Sequence, residues 1–147
     1  METINLYTIG FTKKTAEEFF TLLKKNNVRT LLDVRLNNAS QLAGFTKQDD
    51  LKFFLKEICN ISYFHIKDFA PTDDILKRYK KKEIDWKQYE KEFNELIKNR
   101  KIEDCIDFDL LKDACLLCSE PTADKCHRRL VAEYLKSVYP QIGIIHL

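Results

Sequence analysis

Residues 118–129, CSEPTADKCHRR, gather two cysteines, a histidine, a carboxylate and two arginines in one short stretch. A thiol beside an imidazole suits nucleophilic or redox catalysis, because the imidazole takes the proton and the thiolate is the reactive form. A neighbouring arginine supplies a fixed charge for a carboxylate or phosphate. Apolar runs flank the stretch, ACLLC at 114–118 and RLVAEYL at 129–135. They predict a buried strand ending at Cys118 and a helix over 125–138.

At 100° per residue, Leu130, Val131, Tyr134, Leu135 and Val138 form one stripe of that helix, and His127 falls in its middle. His127 is therefore expected to point under the sheet edge, Arg128 to border the site and Arg129 to be solvated. The helix start offers backbone N–H groups and the positive end of the dipole, which favour an anion and a thiolate. Each residue also has an ordinary explanation: a buried His is often a core hydrogen-bonder, and a buried Cys a small hydrophobe. The convergence of Cys118, Glu120, Cys126, His127 and Arg128 favours a site. Cys59 and Cys105 read as core or incidental, and alternation turns Cys115 to the face opposite Cys118. Zinc on Cys118, Cys126 and His127, with His65 or Glu120, is disfavoured. There is no C-x2-C pair, and adjacent helical residues diverge. No metal and no other cofactor is expected.

The elements that would position these groups alternate. Residues 3–9, 28–34, 61–66, 114–118 and 142–147 read as strands. Between them lie a helix opened by a Thr15/Glu18 capping box and a second with Leu51, Phe54, Leu55 and Ile58 on one face. A helical stretch over 72–100 follows, broken near 83–85. Its later part has an inner face of Trp86, Tyr89, Phe93, Leu96 and Ile97, and short turns over 101–113 come next. The expected fold is α/β: a single three-layer domain over 1–147, with a mostly parallel sheet of about five strands and helices on both faces. Ligands of such sheets bind outside the carboxyl ends of the strands. Thr8, Gly10, Asp33, Arg35, His65, Cys118 and Glu120 are all placed at that edge.

The chain's 147 residues are 44% hydrophobic and 33% charged, with a net charge of +2. That balance suits one globular domain, and the small net charge selects neither nucleic acid nor membrane. The N-terminus shows no secretory signal and no apolar run reaches the ~20 residues of a membrane span. With five cysteines, an odd number, reduced thiols in a cytoplasm are expected.

LLCSEPTADKCHRRLVAEYL at 116–135 resembles the signature of the domain-of-unknown-function 488 family. YTIG at 7–10, LLDVRLNNASQLAGF at 31–45 and YFHIKDFAPT at 63–72 agree with it. The resemblance implies a small α/β domain and no established activity. It marks Gly10, Asp33, Arg35, Gly44, Phe45, His65, Cys118, Glu120, Cys126, His127 and Arg128 as shared positions. Phe11 and Thr12 stand where the family usually has histidine and serine. A weaker likeness is to rhodanese-like domains, through LLDVR and the strand-ending cysteine. The residue six after Cys118 is Asp124, where phosphatase-type loops carry arginine.

Two further stretches are ambiguous. Lys77–Lys82 interleaves basic residues with aromatics near Tyr79, Trp86 and Tyr89. Such a run tracks a phosphate backbone, or is a solvated helix end with its rings packed inward. The loop 35–45, with Asn37, Asn38, Ser40 and Gln41, is a recognition loop or a set of local turns. The best reading is a small cytoplasmic enzyme with Cys118 as nucleophile or redox thiol, His127 as acid/base and Glu120 as orienting or second acid/base group. Thr8, Gly10, Asp33, Arg35, His65, Cys126 and Arg128 then hold an anionic small molecule or nucleotide. The rivals are a nucleic-acid-binding or regulatory module using Lys77–Lys82, and rhodanese-like sulfur or phosphate chemistry.

Overall fold

The computed structural model describes residues 2–38 and 44–147. Five strands form one parallel sheet in the order β3-β2-β4-β1-β5. They are β1 (Ile4–Gly10), β2 (Thr30–Asp33), β3 (Ser62–His65), β4 (Ala114–Cys118) and β5 (Ile142–His146). β4 lies at the centre between β2 and β1 and is buried at every residue, as its unbroken apolar run requires.

Alternation along the strands divides the core in two. Tyr7, Ile9, Leu31, Cys115 and Leu117 pack against helix α1 (Ala16–Lys25) and helix α2 (Gln48–Phe54). Leu6, Leu32, Leu116 and Cys118 face helix α4 (Trp86–Arg100) and helix α5 (His127–Val138), with the shorter helix α3 (Asp73–Lys80) alongside α4. Cys115 and Cys118 thus fall on opposite faces, three residues apart, as strand geometry dictates.

The helix starts follow their caps. Thr15 and Glu18 form the reciprocal box that opens α1, and Asp85 accepts from the Gln88 amide to open α4. Two boundaries differ from expectation. The chain after α2 continues in a π turn over Leu55–Cys59. Its extra residue per turn carries Ile58 off the buried stripe, leaving it 45% exposed while Leu51 and Leu55 stay inside. α5 begins at His127, not Lys125, because Cys126 is its N-cap with extended backbone (φ −137°, ψ 137°).

Candidate functional site

The parallel register brings the strand ends together. Gly10 lies beside Cys118 on β1 and β4, and Asp33 lies between Leu117 and His65 on β4 and β3. Outside this edge is a cleft of about 310 Å³. Its floor is Cys118, Cys126 and His127, and its walls include Phe11, Arg35, Tyr79, Trp86 and Tyr89. Lys80, Glu120 and Lys125 are exposed at its rim.

His127 is held in one orientation. Its Nε2 lies 2.6 Å from the Val34 carbonyl oxygen. A carbonyl only accepts, so Nε2 carries the proton and Nδ1 of the neutral ring is bare. Nδ1 then faces Cys118 Sγ at 3.6 Å. Phe93 packs edge-on against the imidazole, with ring centroids 5.5 Å apart. The histidine is thus oriented by a strand-end carbonyl. The expected orienting group, Glu120, is exposed, and among the described residues no hydrogen bond to its carboxylate is seen. Its backbone carbonyl is what the site uses: Arg128 Nη1 donates to it at 2.8 Å.

The two thiols are polarised against each other. Cys118 and Cys126 are both buried and both unbridged. A hydrogen bond from the Cys126 thiol draws the Cys118 pKa below the usual thiol value. The Ser119 amide and the positive charge of Arg128 act the same way, against the cost of burial. The same contact, with burial, pushes Cys126 well above its usual value, so it is the donor of the pair. Tyr89, 2% exposed, is also pushed up, first by burial and then by the negative charge of the Cys118 and Cys126 thiolates. The helical stripe places Tyr89 on the inner face of α4, and its place in the lining of the thiol cleft carries no periodicity signal.

Arg128 is wholly buried and does not line the cleft. It lies behind the Cys118–Glu120 turn, and its Nε and Nη2 find no hydrogen-bond partner among the described residues. It enters the space that Gly10 leaves: a Cβ on Gly10 would lie 3.2 Å from Arg128 Nη1. Arg129, expected to be solvated, is instead only partly exposed. It bridges Glu90 on α4 at 3.0 Å and Glu133 on its own helix at 3.1 Å.

Asp33 is fully buried and satisfied by Arg35 Nε (2.9 Å), Arg35 Nη2 (2.8 Å), the Arg35 amide (3.2 Å) and the Tyr63 hydroxyl (2.6 Å). Arg35 is two residues away in the chain, whereas the Tyr63 hydroxyl reaches Asp33 from the neighbouring strand β3. Arg35 also donates to the Thr46 carbonyl and lies 5.3 Å from the Phe11 ring centroid. His65 Nε2 donates to the Arg35 carbonyl at 2.7 Å, which steadies the loop beyond β2. Asp33 and His65 therefore stand behind Arg35 and do not line the cleft. Thr8 is also outside the lining; its hydroxyl is hydrogen-bonded with His146 Nδ1 at 2.6 Å.

Of the amide-rich loop, Asn37 lines the cleft and Asn38 donates to Tyr63. Ser40 and Gln41 lie outside the described residues. Phe45 packs on Phe19 and Phe20 in the far core. In the basic run, Lys77 pairs with Asp73, and Arg78 with Asp74 and Glu92. The rings of Tyr79, Trp86 and Tyr89 pack on one another and form the cleft wall.

The ligand atoms of Cys118, Cys126 and His127 all lie within 4.8 Å of one another, a spacing that one metal ion can bridge. The divergence expected of adjacent helical residues does not apply, because Cys126 is extended. No helix among the described residues is long and apolar enough to cross a membrane.

No curated protein and no solved structure matches the chain. The family model described as domain of unknown function DUF488 matches residues 15–135, a span that holds β2, β3, β4, the cleft floor and most of α5. By that match the chain belongs to the DUF488 family.

Proposed function

We propose that the protein is a small thiol-dependent enzyme whose Cys118 attacks an anionic substrate bound in the cleft. The observation that carries this reading is the 3.6 Å approach of His127 Nδ1 to Cys118 Sγ at the cleft floor, with Nε2 turned to the Val34 carbonyl. Cys118 passes its proton to Nδ1 and attacks as thiolate. A bond forms between sulfur and the electrophilic atom of the substrate, the bond to the leaving group breaks, and His127 returns the proton to that group. Cys126 donates a hydrogen bond to the thiolate. Arg128 favours the thiolate from behind the turn, and Arg35 with the rim lysines attracts the substrate's charge. Glu120, at the rim, is free to serve as a second acid/base group. Five free cysteines fit a reducing cytoplasm.

Iodoacetamide labelling of the native protein, mapped by mass spectrometry, tests this. Cys118 is expected to label faster than Cys59, Cys105 and Cys115, with phosphate-like anions slowing it. Equal labelling without anion protection would sink the nucleophile in favour of a structural role.

A second reading rests on the 4.8 Å cluster of Cys118, Cys126 and His127, whose soft ligands suit a transition-metal ion. Metal analysis of protein purified without chelators decides between them. A stoichiometric ion that blocks Cys118 labelling until chelated would replace the free-thiol reading.

A further inference from the structure

Cys118 and His127 occupy only the floor of the cleft; the wall above them has a composition of its own. Tyr79 and Trp86 are half-buried there, and both rings pack against the buried Tyr89. Trp86 stacks on Tyr89 at 4.9 Å with planes 17° apart, and Tyr79 meets Trp86 edge-on at 5.8 Å. Leu76 and Pro71 extend the apolar surface. A wall of pre-positioned rings fits a planar aromatic group, which gains area and π contact at little cost in side-chain entropy.

The rim of the cleft is charged. Lys80 and Lys125 are exposed at the rim, and Lys125 directly precedes Cys126, the N-cap of α5 and part of the cleft floor. Among the described lining residues, the cations Arg35, Lys80 and Lys125 face one carboxylate, Glu120, and with Arg35 paired to Asp33 behind it the two lysines supply the excess positive charge. The cleft's volume of about 310 Å³ lies at the small end of the range for small-molecule sites, roughly 300–1,000 Å³. A flat apolar wall beside a cationic rim suits one molecule carrying both a flat ring and a phosphate.

We infer that the cleft binds a mononucleotide, with its base against Tyr79 and Trp86 and its phosphate at Lys125 and the start of α5. This rests on the enzyme reading only in sharing its cleft. The phosphate end lies beside Cys118, so the scissile bond of a substrate would be near the phosphate and not on the base.

Trp86 is the chain's sole tryptophan, so intrinsic fluorescence reports from this wall alone. Each of the four common ribonucleoside monophosphates is titrated into the full chain, beside the matching nucleosides, inorganic phosphate and a short single-stranded oligonucleotide. At least one monophosphate is expected to change the emission saturably, its nucleoside to bind roughly tenfold or more weakly, and phosphate alone to leave the emission unchanged. Lys125→Ala should weaken the monophosphate and leave the nucleoside unaffected. Tyr79→Leu should weaken both by about tenfold or more. Thermal melts of both variants establish that they fold, and Lys125 is exposed, so its variant tests the idea even if Tyr79→Leu does not.

No saturable change with any monophosphate would overturn the inference. So would a response that phosphate alone reproduces, or oligonucleotide binding without mononucleotide binding. Rapid Cys118 labelling together with absent nucleotide binding would remove this inference and leave the thiol enzyme standing. Nucleotide binding with an inert Cys118 would do the reverse.

Discussion

A Cβ built on Gly10 would lie 1.6 Å from the carbonyl oxygen of Glu120. No side chain survives at that distance, so the end of β1 must be glycine for the turn after Cys118 to close over it. The requirement is one of contact and not of backbone conformation, since no glycine in the described chain has positive φ. That close approach also lets Arg128 reach the Glu120 carbonyl at 2.8 Å.

Gly10→Ala is therefore expected to displace the 118–120 turn at a cost of about 1–3 kcal/mol or more, as for other overpacked sites. Chemical denaturation measures the loss, and Cys118 labelling measures the turn. A variant with unchanged stability and unchanged labelling would show that the turn yields freely.

Asp33→Ala leaves Arg35 buried with its carboxylate gone. Breaking a buried pair in this way costs about 3–5 kcal/mol. Tyr63→Phe removes one donor to the same carboxylate and should cost only about 1–3 kcal/mol. Urea unfolding of the two variants gives the ranking directly, and a smaller loss for Asp33→Ala than for Tyr63→Phe would contradict the pairing described.

Much of this was legible in the chain. The alternation of apolar runs with capped, 3.6-periodic segments determines a parallel α/β sheet, and topology then forces Gly10, Asp33 and Cys118 to one edge. What could not be read is what depends on register and on backbone atoms. The Val34 carbonyl orients His127 only because β2 and β4 pair as they do, and no side chain announces that. Tyr89 fits the inner stripe of α4. That the first turns of this helix reach the open cleft follows from tertiary placement, to which periodicity is blind. The helical angle of Arg128 predicts a place at the site's border. Arg128 is fully buried because glycine at position 10 opens room for it, a pairing across more than a hundred residues.

The labelling rate should depend on pH in a way that separates the cysteines. Cys118 is held below the usual thiol value by the Cys126 thiol, while burial raises Cys59, Cys105 and Cys115. The thiolate is the reactive form, so each rate climbs as pH rises through that thiol's own pKa. The Cys118 curve should therefore reach half-height at lower pH than the curves of Cys59 and Cys105. A Cys118 midpoint at or above theirs, from residue-resolved alkylation rates, would refute the polarised pair.

The same pair allows a finer test through Cys126. The Cys126 thiol is the largest influence favouring the Cys118 thiolate, ahead of the Ser119 amide and Arg128. A hydrogen bond to a charged acceptor contributes about 1.5–3 kcal/mol. Cys126→Ala removes that donor from a buried site, and Cys118 labelling at neutral pH should fall on the order of tenfold, with the pH curve shifted upward. Cys126→Ser keeps a donor of similar size at the N-cap, where a hydroxyl is also a good cap, so stability should hold or rise slightly. The Ser variant should therefore label Cys118 at a rate between wild type and Cys126→Ala. The ordering distinguishes hydrogen bonding from packing: lost packing would slow both variants alike and lower both melting temperatures. If Cys126→Ala labels Cys118 as fast as wild type, the thiolate is held by Arg128 and the Ser119 amide alone, and Cys126 reverts to a buried filler at the start of α5.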